Sequence, residues 1–137
     1  MRIGELAERT GVTTRALRHY EDIGLLPARR AVNGYRTYDA ADERIVAQIR
    51  SLVEIGFALE ETRPFVDCLR DGHDSGDSCT PSLHAYREKM REIEACISRL
   101  QDAHARLAVQ LHDALSRHPL SAADPACTYH PTEGVAS

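Results

Sequence analysis

Leu83, Tyr86, Met90, Ile93, Ile97, Leu100, His104, Leu107, Leu111 and Ala114 follow one another at alternating spacings of three and four residues. That alternation is the heptad seam of a coiled coil. Pro81 suits the first turn of such a helix, and Pro119, Pro125 and Pro131 prevent its continuation beyond His118. A helix over 81–116 would be about 54 Å long. A single apolar stripe of that length cannot be hidden inside a small monomer. The seam therefore predicts a second copy of the chain, a homodimer.

Residues 1–80 must then supply whatever the dimer presents. Ile3, Leu6 and Ala7 form the apolar face of a short helix, which Gly11 interrupts. A second helix follows, with Thr13 as its N-cap and Ala16, Leu17 and Tyr20 facing inward. Two short helices joined by a tight turn with glycine form the helix-turn-helix pattern. Asn33-Gly34 is a hairpin signal, which predicts a small two-stranded wing bearing Arg29, Arg30, Tyr35 and Arg36. A third helix, capped by Asp39 or Asp42, is expected to run to about Ile55. A fourth covers about Leu59 to Leu69, with Pro64 early in it. The stretch DGHDSGDS (71–78) is expected to be a solvated polar loop.

Charge sharpens this picture. The chain carries a net charge of −4 at neutral pH, which by itself argues against nucleic acid. Its distribution argues the other way, because residues 1–38 hold seven Arg and four acids, net +3, and every later segment is acidic. Arg15 and Arg18 stand three apart on the second helix and share a face. From that face, guanidinium groups reach major-groove edges or phosphates. Thr13 and Thr14 at the helix N-terminus suit phosphate. No apolar run is long enough to span a bilayer, and the N-terminus shows no secretory stretch. The expected location is the cytoplasm, with no membrane contact. No nucleophile–base set is visible, so no enzymatic activity is expected.

The succession of helix-turn-helix, wing, helix pair, loop and dimer helix resembles the MerR family of transcriptional regulators. The resemblance is carried by Ile3-Gly4-Glu5-Leu6-Ala7, Gly11-Val12-Thr13, the run from Arg15 to Glu21, Gly24-Leu25-Leu26, the wing Asn33-Gly34-Tyr35-Arg36-Thr37-Tyr38, and Ile55-Gly56-Phe57. It covers about residues 1–115. His19 departs from it, standing where Phe or Tyr is usual. The fold class expected is mainly α, a winged helix-turn-helix domain followed by a long antiparallel coiled-coil dimerisation helix. The divisions expected are the DNA-binding domain with its helix pair at 1–70, a linker at 71–80, the dimer helix at 81–117, and a tail or effector loop at 118–137. The resemblance implies a homodimer on double-stranded promoter DNA, bending and untwisting an overlong spacer so that RNA polymerase can align with both promoter elements. With only about 20 residues after the dimer helix, a large drug-binding domain is not expected. The expected DNA-binding residues are Thr13, Thr14, Arg15, Arg18, His19, Tyr20, Asn33, Gly34, Tyr35 and Arg36.

The effector is less constrained. The four cysteines, 68, 79, 96 and 127, form no secreted disulfide framework. Cys79 immediately precedes the dimer helix, where a helix N-terminus lowers a thiol pKa. In the metal-sensing branches of the family, a Cys at this position belongs to divalent-ion sensors. Those branches also carry a loop Cys about where Ala114 stands here. Substitute ligands are His112, His118, Cys127 and His130, the last two in C-x-x-H spacing. Together with Cys79 of the partner subunit they suit zinc or another divalent metal ion. Two alternatives stand beside this: thiol redox sensing through Cys79, Cys96 and Cys127, and a regulator with no small effector. Cys68 is assigned to the core. His73, among Asp71, Asp74 and Asp77, is assigned to a solvated linker rather than to an acidic metal site.

Overall fold

The computed structural model describes residues 1–118. It contains α1 (Ile3–Thr10), α2 (Thr14–Asp22), β1 (Arg29–Arg30), β2 (Arg36–Thr37), α3 (Ala40–Glu54), a 3-10 turn (Leu59–Thr62), α4 (Arg63–Arg70) and α5 (Thr80–Arg117). The mainly helical expectation holds. The chain forms two units, Met1–Ile93 and Glu94–Ser137. Among the described residues no helix is long and apolar enough to cross a membrane.

The short helices are held by their ends. Gly11 stops α1 at φ 72°, and its N–H donates to Ala7 O at 2.8 Å. That left-handed conformation is costly for residues with a Cβ. The Arg50 guanidinium lies directly against this turn and donates to Thr10 O at 2.5 Å. Thr13 caps α2 by accepting from Ala16 N at 3.1 Å. Of the two acids expected to cap α3, Asp39 is the N-cap. Asp42 completes the reciprocal box, accepting from Asp39 N at 3.0 Å while Asp39 accepts from Asp42 N at 3.0 Å.

The expected fourth helix is two pieces. Residues Leu59–Thr62 wind as a 3-10 turn, and the α-helix starts at Arg63 with Pro64 in its first turn. Glu61 secures the entry by accepting from Ala58 N at 2.8 Å.

Leu6, Leu17, Tyr20, Leu25, Leu26, Tyr38, Ile45, Val46, Ile49 and Val66 make one buried cluster, joining α1 and α2 to the wing, α3 and α4. Each fully buried Leu or Ile contributes about 1.5–3 kcal/mol relative to exposure. A second cluster joins Leu52, Phe57 and Phe65 to Ala85 and Tyr86 of α5. Its aromatic rings meet edge to face, with Tyr86 4.9 Å from Phe65 and 6.3 Å from Phe57. Tyr86 thus leaves the seam to which the heptad pattern assigned it. Its ring serves the intrachain core. The other large apolar seam residues, Leu83, Met90, Ile93, Ile97, Leu100, Leu107 and Leu111, are all exposed in the single chain.

Loop 71–79 is largely exposed, as expected of a solvated linker, but it is anchored to the fold. Gly76 is buried, and a Cβ there would press on Gln48 and on the Phe65 carbonyl. The buried Ser82 hydroxyl donates to Gly76 O at 2.5 Å. Tyr86 OH donates to Asp77 at 3.2 Å, and Ser75 also hydrogen-bonds Asp77. These ties anchor the loop to α5.

Candidate nucleic-acid interface and thiol cluster

Leu17 and Tyr20 pull one side of α2 into the core, and this orients the rest of the helix. Thr13, Arg15, Arg18 and His19 emerge on the opposite side as exposed groups. With Ala16 and Asp22 they line a single shallow concavity. Among the described residues neither Arg15 nor Arg18 enters an ion pair. Their guanidinium donors are available to an external anion. Tyr20, expected among the DNA contacts, is only 7% exposed and packs against the core. Its hydrophobic ring at an inward helical position accounts for the difference, and its part is to support the helix.

The wing is a two-stranded antiparallel ladder, pairing Arg29 with Thr37 and Arg30 with Arg36. Gly34 takes φ 85° in the turn, and its N–H donates to Ala31 O at 2.9 Å. Asn33 accepts from Tyr35 N at 3.2 Å, as Asn does in tight turns. Exposed Tyr35 carries the Arg2 guanidinium 4.4 Å above its ring centroid. Arg2 was absent from the expected interface, and nothing in its spacing signals the stacking. Two wing arginines are partly engaged within the chain. Arg29 lies 2.5 Å from Asp39 and 3.4 Å from Asp42, and Arg36 lies 2.9 Å from Glu21.

The cysteines are arranged differently from expectation. Cys79 Sγ, Cys68 Sγ and a ring nitrogen of His73 all lie within 4.8 Å of one another. Cys68 is buried at the end of α4, Cys79 is half-buried just before α5, and His73 is exposed on the loop between them. Cys68 Sγ also donates to Ser75 O at 3.4 Å, and His73 N donates to Cys68 O at 3.4 Å. Hydrogen bonding to Cys68 pushes the Cys79 thiol up to about 11, with burial and the nearby Asp71 adding to the effect. The helix N-terminus was expected to lower it. The hydrogen bond to the Cys68 sulfur, the largest cause, acts in the opposite direction.

His112 and His118 lie in the second unit, where both are exposed. Cys127 and His130 lie outside the described residues. Cys96 is exposed on α5, 3.1 Å from Arg99 Nη2. Cys68 is buried and His73 exposed, as expected of a core thiol and a loop imidazole, but their nearness to Cys79 was not expected. Their signal was the run Cys68-x4-His73-x5-Cys79, which spacing alone does not separate from a core thiol and a loop imidazole.

Residues 1–67 match the family model described as MerR HTH family regulatory protein, and residues 43–109 match that described as MerR, DNA binding. The regulator CueR of Salmonella typhi is 39% identical over 103 residues, covering 74% of this chain and 72% of CueR. The chain belongs to the MerR family. The nodulation protein NolA of Bradyrhizobium elkanii is 41% identical over 99 residues. That match covers 72% of this chain but only 41% of NolA, so the chain spans about two fifths of that relative. Among solved structures, MtaN, the N-terminus of the Bacillus subtilis multidrug transporter activator, superimposes with a TM-score of 0.56 at 30% identity. That superposition covers 78% of this chain and 97% of MtaN.

Proposed function

We propose that this MerR-family chain acts in the cytoplasm as a homodimer that binds a promoter palindrome and distorts the DNA to control transcription by RNA polymerase. The observation that carries the reading is the exposed face of α2. It presents Arg15, Arg18 and His19 without ion pairs among the described residues, and the chain also carries a wing of Asn33, Gly34, Tyr35 and Arg36. Thr13 and Thr14 add hydroxyls at the positive end of α2. The exposed stripe from Leu83 to Leu111 supports pairing through α5, which sets the separation of the two half-sites. Distortion of the spacer draws specificity from deformability as well as from base contacts.

The effector in this reading is a divalent metal ion held in part by Cys79. Thiol redox control through the same cysteine is the second reading, and the proximity of Cys68 favours it.

The test is a gel shift and nuclease footprint on the promoter upstream of the protein's own gene, followed by transcription with purified RNA polymerase. Protection of two half-sites, with enhanced cleavage at the centre, is the expected pattern. Protection of one half-site by a monomer would overturn the dimer reading. Undistorted protected DNA would overturn the distortion.

A further inference from the structure

We propose that Cys68, His73 and Cys79 of one chain form a binding site for a zinc-class divalent cation, built without any residue from the second unit or from 119–137. This deepens the effector-responsive reading and rests on it for its regulatory meaning, though the binding itself does not.

The chemistry of the donors is the first argument. Two cysteine sulfurs and one imidazole are the set that borderline-soft, tetrahedral ions select, with Zn–S near 2.3 Å and Zn–N near 2.0 Å. Two sulfurs on one tetrahedral zinc are about 3.8 Å apart at those bond lengths. The three donor atoms already lie within 4.8 Å of one another, so closure onto an ion asks for only small side-chain adjustments.

Preorganisation is the second. Cys68 sits on the last turn of α4, and its backbone is fixed by a buried core position. Cys79 is held at the start of α5, where its carbonyl accepts from Ser82 N at 3.1 Å. The loop carrying His73 is tied down through Ser75, Gly76 and Asp77. A cleft lined by Asp67, Cys68, Asp71, Cys79 and Pro81 gives the ion an entry path. Solvent takes the fourth position, as in open zinc sites with three protein ligands.

Binding breaks two S–H bonds and forms two metal–sulfur bonds and one metal–nitrogen bond. Both thiol protons go to solvent, and no electron is transferred. Two thiolates then balance the charge of the cation. Occupancy would link the end of α4 to the residue from which α5 departs.

The experiment uses the full chain, reduced and freed of metal, titrated with Co²⁺ and then displaced by Zn²⁺. One ion per chain, thiolate-to-cobalt charge-transfer absorption and the visible bands of a four-coordinate ion are expected. His73→Ala alters an exposed side chain and should fold normally. It should weaken binding beyond the ~10–100-fold that outer partners of a metal ligand command. Cys79→Ser should abolish the charge-transfer band of its sulfur. Cys68 is buried, so Cys68→Ser is paired with circular dichroism to confirm folding. A chain ending at His118, and His112→Ala, should bind as the parent does.

The site is overturned if binding survives in His73→Ala and Cys79→Ser but disappears in the shortened chain. It is equally overturned if the reduced protein binds no Co²⁺ while mild oxidation yields a Cys68–Cys79 disulfide. Operator binding by the metal-free protein, measured on the same preparations, tests the DNA-binding reading separately. A protein that binds Co²⁺ as expected but fails on its promoter retains the site and loses the regulator.

Discussion

Arg36 on the wing places Nη1 2.9 Å from the carboxylate of Glu21 on α2. The Glu21 side chain is only 3% exposed, and Tyr38, the residue after β2, hydrogen-bonds the same carboxylate. Burial, together with that hydrogen bond, pushes the Tyr38 hydroxyl far above the ordinary tyrosine range, so it remains a donor at any physiological pH. A two-stranded hairpin is marginal alone. Glu21 joins it to α2 through Arg36 and Tyr38.

Glu21→Ala should therefore destabilise the domain by about 1–3 kcal/mol, the cost of leaving buried hydrogen-bonding partners unsatisfied. Operator affinity should fall as well, although Glu21 bears the wrong charge to touch phosphate. Urea unfolding and gel shifts on one preparation check both. Unchanged stability would mean that the wing is held by packing of Leu25, Leu26 and Tyr38 alone.

Arg18→Ala should lower operator affinity by about 1–3 kcal/mol if the guanidinium reads a base edge. Fold and dimer should persist, because the side chain is exposed and makes no ion pair among the described residues. Measuring affinity across a salt series refines the assignment. A pure phosphate contact reduces the salt slope by about one and weakens all sequences alike.

Much of this was legible from side-chain types at fixed spacings. Gly11, Thr13, Asn33-Gly34 and Asp39 each perform a local backbone task that the residue type announces. The exposed Arg15 and Arg18 followed from the burial of Leu17 on the same helix. What escaped the sequence was tertiary. Tyr86 satisfies the heptad rule, yet it packs against Phe57 and Phe65, which are far away in the chain. Loop 71–79 looks solvated by composition, but its anchors are Ser82 and Tyr86 beyond it. Cys68 was correctly read as buried, but its nearness to Cys79 depends on how α4 and α5 are joined.

Ile97→Asp should separate the dimer. Ile97 is 48% exposed in the single chain and lies mid-seam, so partner burial would place a carboxylate in an apolar contact. The 1–93 unit does not use this residue and should keep its own fold. Sedimentation at low micromolar concentration distinguishes the outcomes. A persistent dimer would show that the chains pair elsewhere than through this stripe.

Acid should weaken the domain through its caps. Asp39 is held below the ordinary carboxylate range, first by the Asp42 backbone N–H and then by Arg29. Glu61 is lowered by the Ala58 N–H and Lys89, and Asp77 by Ser75 and Tyr86. A carboxylate with a depressed folded-state pKa stabilises fully above its unfolded value, near 4. That contribution is lost as the pH falls through the folded-state value. Asp42 acts in the opposite direction, because burial raises its pKa and favours its protonated form in the folded chain. The net expectation is constant stability near neutrality and a progressive loss below about pH 4. Asp39→Asn keeps a capping oxygen but no longer titrates, so it should flatten part of the acid slope while changing neutral stability by less than Asp39→Ala, which costs about 1 kcal/mol. Thermal melts of the three proteins between pH 3 and 7 make the comparison. An Asp39→Asn profile that parallels the parent throughout would assign the acid sensitivity to Glu61 and Asp77 instead.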